Sequence, residues 1–125
     1  MGLLDHIRGN ASETDVAALA AELEPLLVDG EQIERGFKLF RDALAFTDRR
    51  LVLVNKQGVT GRKVEFLSIP YKSVTHFSVE TAGDFDGDSE LTLWISGQST
   101  PIKREFARGA NIIGIQRTLA QYVAR

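Results

Sequence analysis

Apolar positions along the chain change period twice. Between residues 12 and 29 they fall at helical spacing, with Val16, Leu19, Ala20 and Leu23 in one stripe. Ser12, with Asp15 three residues on, predicts the helix start, and acids in that first turn suit the positive end of the helix dipole. Pro25 predicts the helix end, because the residue before a proline is pushed out of helical geometry. Asp29-Gly30 reads as a turn. From Glu31 the period drops to two. Ile33, Arg35, Phe37 and Leu39 alternate with Glu34, Gly36 and Lys38, which predicts a strand carrying the first set on one face. Ala43 to Thr47 repeats the pattern, with Leu44 and Phe46 together. Leu51-Val52-Leu53-Val54 is a continuous apolar run, so that strand is expected to be covered on both faces. Alternating runs at 62–70, 74–81, 91–95 and 102–106 follow, separated by turn-forming residues. Helical spacing returns at Ile112, Ile115, Leu119 and Tyr122, with Val123 beside them and Asn111 placed to open the helix.

The order is therefore a helix, seven short strands and a closing helix. Strands separated by turns every ~8–12 residues predict an antiparallel sandwich or barrel. A rolled sheet has an open end, and an amphipathic final helix can plug it. The fold class is mainly β, with residues 1–29 as an N-terminal helical extension and 30–125 as the sheet domain. A chain of 125 residues can bury one core without disulfides or metals.

Composition narrows the function classes. There is no cysteine, which excludes disulfides and thiolate metal sites and suits a cytoplasmic protein. No apolar run approaches the ~18–20 residues that span a bilayer, and residues 1–10 lack the pattern of a secretory signal. Net charge is only −2, so the basic excess of a nucleic-acid binder is missing. The charge is uneven, however. Residues 1–34 hold eight acids and one base, whereas 35–80 hold nine bases and four acids. Such asymmetry can draw one part of a protein toward a second copy.

The run Gly36-Phe37-Lys38-Leu39-Phe40-Arg41-Asp42, followed by Phe46-Thr47-Asp48-Arg49-Arg50-Leu51, resembles the start of a bacterial pleckstrin-homology (PH) domain. Ile69-Pro70-Tyr71-Lys72-Ser73-Val74 and Phe77-Ser78-Val79-Glu80 are similar to later segments of that family, and the resemblance covers about residues 30–123. It implies a seven-stranded, partly open barrel of two packed sheets capped by the C-terminal helix. It implies no catalytic residues and no cofactor, and it suggests self-assembly into closed rings.

Motifs for other chemistry fail on spacing. Asp84, Asp86 and Asp88 match the start of a calcium loop, but Ser89 and Ile95 stand where Gly and Glu are required. The segment Gly58 to Lys63 lacks the spacing and the Lys-Ser/Thr of a phosphate loop. His6 and His76 have no partner at ligand spacing, and no nucleophile elbow exists. Two candidate surfaces remain. Arg49, Arg50, Arg62 and Lys63 form a diffuse basic set for an anionic lipid surface, with ordinary solvated charge as the competing reading. Trp94 points away from Leu91, Leu93 and Ile95, so either the chain's own helix or another molecule covers it. With the stripe Val16, Leu19 and Leu23 it is the expected interface of a homo-oligomer. The expectation is a non-enzymatic binding module that assembles with itself; a weak membrane-binding domain is the alternative.

Overall fold

The structure, a computed structural model, describes residues 16–39, 42–57, 63–81, 89–106 and 111–124. Helix α1 runs Val16–Leu23 and is followed by a 3-10 turn, Glu24–Leu26, with proline at its start. Seven strands follow: β1 Ile33–Lys38, β2 Ala43–Thr47, β3 Arg50–Gln57, β4 Lys63–Pro70, β5 Val74–Glu80, β6 Ser89–Ile95 and β7 Ile102–Phe106. Helix α2, Ile112–Val123, closes the chain. All sheet pairing is antiparallel, in one sheet ordered β1-β2-β3-β4 and a second ordered β5-β6-β7. The mainly-β reading and the placement of all seven strands therefore hold. The helix start at Ser12, the Asp84–Asp88 loop and Arg62 lie outside the described residues.

The main core fills the space between the sheets. Phe37, Leu39, Leu44, Phe46, Leu51 and Leu53 enter it from the first sheet, and Leu91, Leu93 and Phe106 from the second. Ile115 and Leu119 of α2 are buried in the same cluster, so the final helix stoppers the barrel. Asn111 caps this helix, its Oδ1 accepting from the Gly114 amide at 2.9 Å. Gly114 leaves room for this cap, because a Cβ at that position would sit 2.3 Å from the Asn111 side-chain nitrogen and push the capping side chain aside.

A second cluster lies on the other face of the first sheet. Leu19 and Leu23 of α1 pack there on Ala45, Val52 and Val54, with Ile33, Ala43 and Val64 at the margin. The run Leu51–Val54 is thus covered on both faces, alternating between the two clusters. The chain reaches α1's berth through a turn at Gly30, whose φ of 84° is one that glycine adopts without strain.

One alternation expected from sequence is broken. Ile33 pairs with Thr47 and Arg35 with Phe46, so Glu34 is an extra residue in a β-bulge. Ile33 consequently shares the α1 side with Ala45, while Arg35 and Phe37 share the main-core side with Phe46. The bulge puts Ile33 and Arg35 on opposite faces, where simple period-two reading puts them together.

Candidate functional site

Glu31 precedes β1 and its side chain is only 1% exposed, an expensive place for a charge unless every lone pair is answered. They are answered. Arg50 donates from Nε to Oε2 and from Nη2 to Oε1, both at 2.9 Å. Thr47 donates from Oγ1 at 2.7 Å, and the Val28 amide donates at 3.1 Å. Arg50 is equally committed: Nη1 donates to Ser68 Oγ at 3.0 Å and Nη2 to the Leu26 carbonyl at 2.7 Å. Thr47 Oγ1 also accepts the amides of Arg49 and Arg50, which closes the turn Thr47-Asp48-Arg49-Arg50. One guanidinium therefore ties the segment after α1 to β3 and β4.

The Arg50 hydrogen bonds hold the Glu31 carboxyl at about 2, well below its ordinary 4.5, against the opposing cost of burial. A carboxylate depressed on folding contributes stability above its unfolded value and loses it as pH falls through the folded one. The contribution, at most about 3 kcal/mol, is complete above roughly pH 5 and fades toward pH 2. Urea unfolding of the wild type and Glu31→Gln should show a stability gap that narrows across that window. A gap that stays constant from pH 6 to pH 3 would contradict the assignment.

A second polar bridge joins the sheets. Arg104 of β7 donates to Asn55 Oδ1 from Nε at 3.1 Å and from Nη2 at 2.7 Å, and pairs with Asp42 at 3.2 Å. Asn55 in turn donates to Glu65 Oε1 at 2.7 Å. At the plugged end, Tyr71 and Tyr122 lie 5.0 Å apart, and Tyr122 is 5.5 Å from Phe46. Tyr71 donates to the Thr47 carbonyl at 2.5 Å, and Tyr122 donates to Glu34 Oε1. Burial raises both phenols, Tyr122 to about 12. The Arg35 guanidinium lies 5.1 Å from the Phe37 ring centre, at a groove shared with Gly114, Arg117, Thr118, Ala120 and Gln121 of α2.

The residues singled out from sequence are dispersed. Arg50 pairs in register with Pro70 and Gln57 with Lys63, so Arg49–Arg50 and Lys63 sit at opposite ends of the β3–β4 hairpin, ~23 Å apart at ~3.3 Å per residue. Arg49 and Lys63 are exposed. Leu19 and Leu23 are buried on the chain's own sheet, and Val16 is half-buried. Trp94 is half-buried on the outer face, where the cross-strand His76 ring stacks on it at 4.3 Å and 11°. Thr75 Oγ1 donates to the Trp94 carbonyl at 3.1 Å and lies 3.0 Å from His76 Nδ1. Among the described residues no three His, Cys, Asp or Glu are grouped to hold a metal ion, and no helix is long and apolar enough to cross a membrane.

Sequence reasoning passed over Glu31 and the exposed apolar side chains beside its clamp. Leu26 is 44% exposed, Val28 51% and Phe66 37%. Helix α1 covers the outer faces of β1 to β3 but reaches only Val64 of β4. Phe66, two residues further along the same face, is left outside with Ser68 and Pro70. Arg50 bonds the Leu26 carbonyl on one side and Ser68 on the other, which brings the 26–28 segment beside β4, and Val28 shares a groove there with Ser68 and Pro70.

Comparison with known proteins names the architecture. The family model described as bacterial PH domain matches residues 2–123. The chain belongs to that family. The PH domain is 54% identical over 121 residues to the uncharacterized protein YjqA of Bacillus subtilis (strain 168), covering 96% of this chain and 97% of that one. It is 34% identical over 104 residues to the uncharacterized protein YozO of the same organism, covering 83% and 89%. Among solved structures, a pleckstrin homology domain from Shewanella amazonensis SB2B superposes with a TM-score of 0.80 at 53% identity, covering 89% of this chain and 100% of that one. A DUF1696 family protein with a pleckstrin-homology domain from Shewanella loihica PV-4 gives 0.77 at 50% identity, covering 91% and 97%. The resemblance read from Phe46-Thr47-Asp48-Arg49-Arg50 thus corresponds to a physical element of the PH domain, the turn whose threonine and arginine hold Glu31.

Proposed function

We propose that this PH domain is a non-enzymatic, cytoplasmic binding module whose partner is another copy of itself. The observation that carries the reading is the exposed apolar group Leu26, Val28 and Phe66 beside β4, an edge strand of the first sheet. Scattered exposed apolar residues need no explanation, but two on the segment that Arg50 ties to β4 and a third on β4, an edge strand with one free side, favour a contact surface. The alternative, adhesion to an anionic lipid surface, draws less support. Arg50 is already bound to Glu31, Ser68 and Leu26, and Lys63 lies at the far end of the hairpin.

Light scattering after gel filtration tests the proposal. The wild type should elute well above the 13.8 kDa of one chain. Phe66→Asp and Val28→Asp should move the mass toward the monomer while leaving the circular dichroism unchanged. A wild type that stays monomeric at high concentration would sink self-assembly.

A further inference from the structure

Neither helix covers the outer face of the second sheet. Helix α1 lies on the first sheet, and α2 is buried in the main core. Phe77, Val79, Leu91, Leu93 and Phe106 point into that core, so their strand neighbours point out. Register aligns the outward residues in rows across the three strands. His76 stands opposite Trp94, Ser78 opposite Thr92, and Thr92 opposite Lys103. In the next row Glu80 stands opposite Glu90, and Glu90 opposite Glu105.

Three carboxylates in one row do a sheet no good by themselves, because like charges directly opposite one another repel. None of the three has an ion-pair or hydrogen-bond partner among the described residues, and Lys103 in the neighbouring row forms no ion pair with them. Adjacent strands lie ~4.8 Å apart, so the row extends over ~10 Å, too drawn out to close on a single metal ion. A line of charge of that length suits a series of cations on one chain. A second observation lies beside the row. Thr92 is only 6% exposed and bonds to no described residue through its side chain. No enclosed polar atom is left without a partner, so this hydroxyl is open toward the outer face, between the carboxylates and Trp94. Trp94 ends the face four residues along β6 from Glu90, ~13 Å away at ~3.3 Å per residue, with the His76 ring stacked on it.

We propose that this face binds a basic segment of another protein, rich in arginine or lysine. Its cationic side chains lie on Glu80, Glu90 and Glu105, its backbone meets the Thr92 hydroxyl, and its far end rests on Trp94. Charge chooses the occupant: the face carries three carboxylates against one ammonium. In sequence, residues 81–88 between β5 and β6 add three acids and no base. Complementary charge selects the partner and speeds the encounter, and tryptophan is enriched at binding centres. This contact does not rest on the self-assembly reading, whose apolar group belongs to the first sheet and the segment before it.

Anisotropy of a labelled Arg-Ser repeat octapeptide with blocked ends tests it on the full chain. The wild type should bind the peptide saturably. Glu90→Gln/Glu105→Gln should weaken binding by about tenfold or more, whereas Glu22→Gln/Glu24→Gln should change it by less than about twofold. Both double variants remove two negative charges, so net charge alone cannot separate them. Circular dichroism should show Glu90→Gln/Glu105→Gln melting no lower than the wild type, since neutralising the row relieves repulsion. Absence of saturable binding overturns the proposal, and so does equal weakening in the two double variants. Displacement of the peptide by spermine, which carries the same charge, at equal concentration overturns the assignment to a protein segment.

Discussion

Arg50→Met should destabilise the domain by about 3–5 kcal/mol near neutral pH, the usual cost of removing one partner from a buried ion pair. The arginine side chain is 24% exposed, which favours the lower end of that range, but Glu31 is only 1% exposed and loses both guanidinium bonds. Two further anchors go with them, at Ser68 and at the Leu26 carbonyl. The result has a pH signature. In the wild type Arg50 is the largest influence lowering the Glu31 carboxyl, and burial pushes the other way. Without Arg50 the carboxyl loses its largest lowering influence and protonates at higher pH than in the wild type. The deficit of the variant should therefore shrink as pH is lowered from 7 to 4, since a protonated Glu31 is no longer a stranded charge. Glu31→Leu/Arg50→Met should cost less than Arg50→Met alone, because no charge is left buried. Urea unfolding at pH 7 and pH 4 measures all three. A deficit below about 1 kcal/mol for Arg50→Met at pH 7 would mean the pair is no stronger than an ordinary surface bridge.

Phe46→Ala should be comparably damaging, at about 3–5 kcal/mol, through a cavity rather than a charge. The ring is fully buried, 5.9 Å from Phe37 in an edge-on arrangement and 5.5 Å from Tyr122. It is the point where the first sheet meets α2, so its loss also loosens the plug. Roughly 10–20 °C should be lost from the melting temperature, given about 2–8 °C per kcal/mol for domains near this size. Phe66→Ala removes the same chemical group from a site that is 37% exposed, and should cost under about 1 kcal/mol. Calorimetry on the two variants separates burial from composition. Equal losses would contradict the placement of Phe46 at the centre of the core.

Much of this fold is written in local pattern. Leu51–Val54 announces a doubly covered strand because no polar residue interrupts it, and the two clusters share its side chains in alternation. Ile115 and Leu119 announce the plug through helical spacing, and Asn111 occupies the cap. What escaped was non-local or one residue wide. The bulge at Glu34 leaves the alternation of residue types intact, so only the pairing of Arg35 with Phe46 reveals it. Glu31 is one of eight acids in residues 1–34, and its partner is nineteen residues away across a turn. Trp94 is legible as outward-facing, but its neighbour is set by the β5–β6 register that brings His76 across from it.

The sharing of β3 between two clusters has a consequence for how the chain can be cut. A fragment starting at residue 30 would keep every strand yet lose Leu19 and Leu23, leaving Ala45, Val52 and Val54 to face water in one row. The segment that sequence reads as an appendage is thus a hydrophobic shield for the sheet, and shortened versions should be sticky before they are informative.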